Sequence, residues 1–144
     1  MTFKRGIGMT KSYFPKDPIK WVKDLEIIWQ KKDFKKAASG YTDDAFLIFG
    51  CNQLQSVPEL LNRPKEWFSF AKDLMIKKKY LAHSEDCIVA SWESTYTDPA
   101  TKEKVHERGI EYFRFRNGKV CEQHAWQHSW IDWKKPDNSG ITIE

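Results

Sequence analysis

The fold is decided by residues 104–130, which read KVHERGIEYFRFRNGKVCEQHAWQHSW. Within this stretch Asn117-Gly118 predicts a two-residue type I′ turn, because both central residues of that turn need a positive φ. The segments on either side alternate between apolar and polar residues, which predicts two antiparallel strands, Lys104 to Arg116 and Lys119 to Trp133. The turn also predicts the register of the hairpin, with Arg116 opposite Lys119 and the pairing continuing outward one residue at a time.

This register brings carboxylates and imidazoles together on the face that looks toward the core. Glu111 pairs with His124, and Glu107 pairs with His128. A carboxylate beside an imidazole orients the ring and stabilises its protonated form, as a general acid or base requires. We therefore take His124 and Glu111 as candidate catalytic residues. Two alternatives stay open: a buried ion pair that only fixes the register, and a β-bulge that shifts the far pairs by one residue.

Aromatic residues are unusually frequent, at 15% of the chain, with seven Trp, nine Phe and five Tyr. So many rings can fill a core or form the wall of a cavity, and the sequence leaves both interpretations open. The predicted register places several of them beside the candidate pair. The candidate substrate-binding residues are Tyr41, Trp67, Trp92, Tyr96, Trp126, His128 and Trp130.

The first half of the chain has the spacing of helices and the second half that of strands, which predicts an α+β domain. Asp17-Pro18 is typical of a helix start, and the apolar residues that follow lie on one helix face. A second short helix is predicted from Asp33 to Gly40. The remaining elements are a turn at 41–44, a buried strand at 45–49, a helix containing Trp67 to Met75 with Pro58 and Pro64 on its approach, and a strand from Cys87 to Thr97.

Length and composition exclude several classes of protein. The 144 residues fit one domain, 1–144, with an ordered core of about 17–133 and flexible ends. No apolar run approaches the roughly 20 residues of a membrane span, and no signal peptide is apparent. The net charge of +4 is too small to indicate nucleic acid. Three cysteines without a CxxC motif indicate a reducing, cytoplasmic location.

The sequence predicts neither a metal nor a cofactor. His124 and His128 on one strand lie about 13 Å apart, too far to share an ion. The chain contains no glycine-rich phosphate loop and no GxSxG motif. The proton transfer that a carboxylate–imidazole pair performs needs no cofactor.

The order of these motifs resembles the NTF2-like superfamily. An amphipathic helix, then Tyr41-Thr42-Asp43-Asp44-Ala45 leading into a strand, then a Trp/Phe helix follow one another, and residues 107–120 are similar to the ending of its SnoaL-like branch. The resemblance covers residues 17–133. It implies an α+β cone in which a strongly curved, mostly antiparallel sheet wraps N-terminal helices around a pocket, and a homodimer through the outer sheet face.

The resemblance implies two functions of different kinds. Members of the superfamily include ketosteroid-isomerase-like and polyketide-cyclase-like enzymes as well as non-catalytic binders. Where the isomerases carry their base after the first strand, this chain has Phe49-Gly50, so that base is missing. One hypothesis is cofactor-free acid–base catalysis by His124 and Glu111 on a small apolar or polycyclic molecule. The alternative is a non-catalytic ligand-binding or dimeric protein-interaction module.

Overall fold

A computed structural model describes residues 14–55 and 57–132 of the chain. The predicted flexible ends, residues 1–13 and the tail from Pro136, lie outside these described residues, as does Trp133, the predicted end of the last strand. The described part of the chain contains three helices and six strands: α1 (Pro18–Gln30), α2 (Phe34–Ser39), β1 (Tyr41–Phe49), β2 (Asn52–Gln55), α3 (Val57–Phe70), β3 (Lys72–His83), β4 (Cys87–Thr97), β5 (Lys104–Arg116) and β6 (Lys119–Ile131).

Both predicted N-terminal helices are confirmed together with their caps. The Asp17 carboxylate accepts a hydrogen bond from the Lys20 backbone N–H at 2.9 Å, directly before Pro18. The Asp33 carboxylate does the same for the Lys36 N–H at 3.0 Å. A side-chain oxygen at this position satisfies a backbone N–H that the helix itself cannot pair, which defines where each helix begins.

The strands form one curved sheet in the order β2-β1-β6-β5-β4-β3. Neighbouring strands are antiparallel except β1 and β6, which run parallel. The helices pack on the concave face: Val22 and Leu25 of α1 share a core with residues of the central strands, namely Ala45, Ile88, Phe113 and Val120. The predicted α+β cone is confirmed.

Three local predictions are wrong. Residues 41–44 belong to β1, whose pairing with β6 shifts between Tyr41 and Phe46, and they are not a turn. Leu74 and Met75 lie on β3, because α3 ends at Phe70. Buried Leu74 and Ile76 flank Met75, which is 60% exposed, and this period of two belongs to a strand. Pro58 and Pro64 fall within α3 instead of preceding it.

The hairpin turn is confirmed, but its register changes three residues from the turn. Asn117 and Gly118 have φ values of +52° and +79°, and Arg116 pairs with Lys119 as predicted. The next pairs are Phe115 with Val120 and then Arg114 with Glu122, so Cys121 is the extra residue of a β-bulge. The bulge moves every later pair by one residue.

The predicted carboxylate–imidazole pairs are therefore wrong. Glu111 pairs with Ala125 and Glu107 pairs with Ser129, whereas His124 pairs with Tyr112 and His128 with Arg108. Because successive side chains on a strand point to opposite faces, the shift exchanges the faces of β6. Gln123 and Ala125 face the core.

Candidate functional site

A cavity of about 380 Å³ lies between the concave face of the sheet and helices α2 and α3. Its volume is within the range of pockets that bind small organic molecules. The lining residues are Trp29, Ala37, Ala38, Tyr41, Leu47, Phe49, Glu66, Trp67, Phe70, Ile76, Lys78, Trp92, Glu107, Glu111, Gln123 and Gln127.

One wall of the cavity is made of aromatic rings in contact with one another. The ring centroids of Trp29 and Trp67 are 5.9 Å apart, and Trp67 lies 5.8 Å from Tyr96. Phe70 lies on the other side of Tyr96, at 6.0 Å. The rings meet edge to face, an arrangement that positions each ring against its neighbours. This wall presents a rigid apolar surface to a ligand.

A buried ion pair forms the polar end of the cavity. The Lys78 ammonium donates to the Glu111 carboxylate, and their side chains are 4% and 1% exposed. The Gln123 side-chain amide donates to the second Glu111 oxygen at 2.9 Å, and the Tyr41 hydroxyl donates to the Gln123 carbonyl. Burial, followed by the charge of Glu111, raises the pKa of Tyr41 well above its ordinary value, so this hydroxyl stays protonated.

Trp92 lies across the floor of the cavity because residue 109 is glycine. Trp92 pairs with Gly109 on the neighbouring strand, and a Cβ at residue 109 would come within 2.8 Å of two indole atoms and 2.6 Å of the Trp126 carbonyl oxygen. The absence of a side chain at 109 therefore makes room for the indole. The Trp92 indole N–H is buried and has no hydrogen-bond partner among the described residues.

Glu107 is the second buried carboxyl group of the cavity. It lies between two cross-strand serines: the Ser94 hydroxyl donates to one carboxyl oxygen at 3.2 Å and the Ser129 hydroxyl to the other at 3.3 Å. Burial raises the pKa of Glu107, and the hydroxyl groups of the serines and of Tyr96 oppose this shift in part. No salt bridge among the described residues includes Glu107. Burial and the nearby Glu107 carboxylate raise the pKa of Tyr96 to about 12.

The structure brings only part of the predicted site together. Tyr41, Trp67, Trp92 and Glu111 line the cavity, and Tyr96 is buried beside Trp67. The remaining four predicted residues, His124, Trp126, His128 and Trp130, follow the bulge and do not line the cavity. Their predicted position in its wall was wrong.

These four residues form an aromatic row on the convex face of β6. The His124 and Trp126 rings stack with centroids 3.9 Å apart, and the His128 and Trp130 rings stack at 5.7 Å. Trp126 is 52% exposed and Trp130 is 39% exposed. The row is a surface feature, so it is available for contact with another molecule.

Lys78 and Gln123, the two partners of Glu111, are not among the site residues that the sequence predicts. Lys78 is the middle residue of Lys77-Lys78-Lys79, and a run of three lysines is typical of a solvent-exposed segment. The strand alternation contained the signal, because the middle residue of such a run points away from its two neighbours. The register predicted without a bulge turns Gln123 to the convex face, and the bulge at Cys121 turns it to the core.

The fold and its cavity define a class, the α+β cone proteins with a ligand-sized pocket beneath a curved sheet. Within this class the chain matches the SnoaL-like domain over residues 23–123, and it belongs to that family. The predicted membership in the SnoaL-like branch of the NTF2-like superfamily is confirmed. No curated protein sequence matches the chain.

Solved structures confirm the NTF2-like fold at low sequence identity. SalBIII, an epoxide hydrolase/cyclase-like enzyme in pyran ring formation in polyether salinomycin, is 11% identical with a TM-score of 0.68, over 79% of this chain and 95% of that one. A putative SnoaL-like polyketide cyclase from Jannaschia sp. CCS1 is 13% identical with a TM-score of 0.67, over 76% and 84%. A hexachlorocyclohexane dehydrochlorinase, LinA type 2, is 13% identical with a TM-score of 0.62, over 78% and 84%.

Two further observations concern the described residues only. None of their helices combines the length and the apolar character that a membrane crossing requires. Their His, Cys, Asp and Glu side chains form no group of three that could hold a metal ion.

Proposed function

We propose that the cavity binds a small, largely apolar molecule of up to polycyclic size, and that Glu111 exchanges a proton with it without a cofactor. The observation that carries this proposal is the buried Lys78–Glu111 pair at the end of an aromatic-walled cavity. A buried ion pair often contributes less stability than apolar residues of the same size, so stability alone does not account for it.

The contacts of Glu111 support its role as a proton acceptor. Lys78 donates to one carboxylate oxygen and Gln123 to the other, so both contacts orient the carboxyl group at the end of the cavity. Each carboxylate oxygen has two lone pairs, so each can still accept a proton from a bound molecule. Glu111 is itself 1% exposed, and this burial strengthens its interactions with whatever the cavity holds.

The second candidate function is the binding of a ligand without a chemical reaction. The hydrogen bonds of Glu111 also support this function. Glu111 is only 1% exposed and both of its oxygens already accept hydrogen bonds. A fully satisfied network of this kind can serve only to hold the inner face of the sheet in one arrangement. The two candidates differ in whether Glu111 moves a proton, so an isotope experiment separates them.

Ligand binding is tested first by a thermal-shift screen of steroids, aromatic ketones and terpenoids. A ligand that binds only the native state raises the melting temperature by mass action. Ala38→Phe projects a ring into the cavity and should abolish the shift produced by any hit. Ser39→Phe, at the neighbouring exposed position of α2, is the matched control and should preserve it. Equal shifts in both variants would place binding elsewhere.

Proton exchange is then tested with a ketone that binds. In D₂O, the wild type should incorporate deuterium at the carbon next to the carbonyl, as followed by NMR, and Glu111→Gln should bind the ketone without exchange. Absence of exchange in the wild type would favour the non-catalytic candidate. Exchange that survives in Glu111→Gln and is lost in His124→Ala would return the role to the imidazole.

We also propose that the chain forms a homodimer through its convex sheet face and works in a reducing compartment, the cytoplasm. Exposed large apolar residues on β5 and β6 support the dimer, because burial in an interface removes them from water.

The three cysteines, Cys51, Cys87 and Cys121, are all free, which suits a reducing compartment.

A further inference from the structure

The Lys78 end of the cavity shows how this protein accommodates an ammonium group. The Lys78 nitrogen contacts the Glu111 carboxylate and lies 5.5 Å from the Trp29 ring centroid and 5.8 Å from that of Trp92. A carboxylate supplies the opposite charge, and the faces of the indole rings add a cation–π attraction. In this protein, one carboxylate and two aromatic rings are therefore sufficient to accommodate a buried ammonium group.

The Glu107 end of the same cavity also has a carboxylate and aromatic rings. Among the described residues, no Lys or Arg side chain pairs with this carboxylate. Glu107 is 8% exposed and lines the cavity, and no salt bridge among the described residues includes it. Tyr96 lies beside Glu107, and the Tyr96 ring is 5.8 Å from Trp67 and 6.0 Å from Phe70. A carboxylate and aromatic rings are again present together.

Both oxygens of the Glu107 carboxyl group accept hydrogen bonds. The hydroxyls of Ser94 and Ser129 donate to opposite carboxyl oxygens, the arrangement that an ionised carboxylate accepts. Among the described residues, the cavity is lined by three carboxyl groups, those of Glu66, Glu107 and Glu111, and by one cation, Lys78, although the chain carries a net charge of +4. The local excess of negative charge lies in the cavity and not on the protein overall.

We propose that Glu107, with Tyr96 beside it and with the Trp67 and Phe70 rings that contact Tyr96, binds a positively charged amine, so that the ligand of the cavity is an apolar ring system carrying one ammonium group. This inference rests on the proposed function and adds the charge of the ligand to it. In the empty cavity, burial disfavours the Glu107 carboxylate; a bound cation supplies the missing counter-charge and stabilises the ionised form.

Three naphthalenes of nearly equal size test the proposal by calorimetry. They are 2-(aminomethyl)naphthalene in its ammonium form, the uncharged isostere 2-ethylnaphthalene, and 2-acetylnaphthalene, which carries a hydrogen-bond acceptor. The wild type should bind the ammonium roughly 10- to 100-fold more tightly than 2-ethylnaphthalene, the range expected for a buried contact to a charged group.

Glu107→Gln removes the charge and keeps the shape of the side chain. It should reduce the preference for the ammonium nearly to one while binding 2-ethylnaphthalene as the wild type does, which also shows that the variant is folded. Glu93→Gln is the matched control, because Glu93 is exposed on the same strand as Ser94 and points away from the cavity. It should leave the preference unchanged.

The pH dependence provides a second readout. Affinity for the ammonium should increase from pH 5 to pH 8 in the wild type, with proton release seen as a dependence of the heat on the buffer, and should be flat in Glu107→Gln. The other charged or titratable groups that face the cavity or Glu107 lie on α3, β1, β3, β4 and β5, and they are Glu66, Tyr41, Lys78, Tyr96 and Glu111. All of them are retained in the variant.

Each outcome has one meaning. If the wild type binds 2-ethylnaphthalene as tightly as the ammonium, the cavity function stands and the cation site is wrong. Tightest binding of 2-acetylnaphthalene, weakening as the pH rises, would also overturn the cation site, because Glu107 would then act as a neutral hydrogen-bond donor. If none of the three probes binds, the proposed function fails for ring compounds of this size, and the inference fails with it.

Discussion

Glu107 is a residue that a protein selected only for stability would not place in its interior. Its carboxyl group is buried beside two serines and lacks a cationic partner among the described residues. Isolated buried charges are costly, and the hydroxyl groups offset only part of that cost. Residues of this kind are typical of binding sites, where an environment that is unfavourable in the empty protein becomes favourable when a ligand is present.

Glu107→Gln should stabilise the protein at pH 7 and have little effect at pH 4. The folded-state pKa of Glu107 is raised above 4.5, so the folded state holds this proton at pH values where the unfolded state has lost it. Stability of the wild type therefore falls as the pH rises from about 4.5 through the folded-state pKa. Urea unfolding of both proteins across this range measures the difference. A variant less stable than wild type at pH 7 would contradict the prediction.

Lys78 and Glu111 should be strongly coupled in stability. Lys78→Met or Glu111→Gln alone leaves a buried polar group without its partner and should lower the free energy of unfolding by about 3–5 kcal/mol. The double variant should lose far less than the sum of the two, as measured in a double-mutant cycle by urea unfolding. The exposed pair Lys20–Asp24 is the control, and Asp24→Asn should change stability by less than about 1 kcal/mol. Additive losses in the buried pair would show that the two charges act independently.

At the scale of elements, the β5–β6 hairpin shows what the sequence could and could not predict. Asn117-Gly118 and the alternation around it predicted both strands and the turn, because those signals are local. The bulge at Cys121 has no comparable signal, since a single extra residue changes neither the composition nor the turn. Of the residues grouped from the sequence, Glu111, Tyr41, Trp67 and Trp92 line one cavity, whereas the two imidazoles lie on the opposite face of the sheet.

The packing between β4 and β5 depends on Gly109. Gly109→Ala should destabilise the protein by about 1–3 kcal/mol, because the new methyl group meets the Trp126 carbonyl and the Trp92 indole at less than 3 Å. Gly40→Ala is the matched control: its Cβ would lie 3.5 Å from the nearest atom, an ordinary contact, and the variant should retain wild-type stability. Chemical denaturation measures both. Equal stability of the two variants would show that Trp92 relocates at no cost.

For the whole molecule, the sequence predicts the arrangement of helices and sheet and the family. Both depend on the order of the motifs along the chain and on the spacing of the apolar residues. The resemblance to the family implies a dimer through the convex face and assigns no residue to it. The structure now provides candidates for that surface, because Ile110, Trp126 and Trp130 are between 39% and 52% exposed on adjacent strands.

Trp126→Lys should convert the proposed dimer to a monomer in sedimentation velocity experiments, because a charge at the centre of an apolar contact must be desolvated. Ile19→Lys is the matched control: Ile19 is 64% exposed on α1, on the opposite side of the sheet, and should leave the dimer intact. A wild-type protein that sediments as a monomer at all concentrations would reject the dimer. Ligand binding by the Trp126→Lys monomer would show that each cavity is complete within one chain.

The parallel pairing of β1 with β6 has a consequence for how the chain is made. β1 leaves the ribosome early, yet its core residues pack against side chains of β5 and β6, and one of its edges bonds only to β6. We expect the core cluster that joins Ala45 and Leu47 to Phe113 and Val120 to remain incomplete until the last strand has emerged. The cavity then closes in a single late step, governed by contacts between residues far apart in sequence, which makes folding slow relative to helical proteins of similar size.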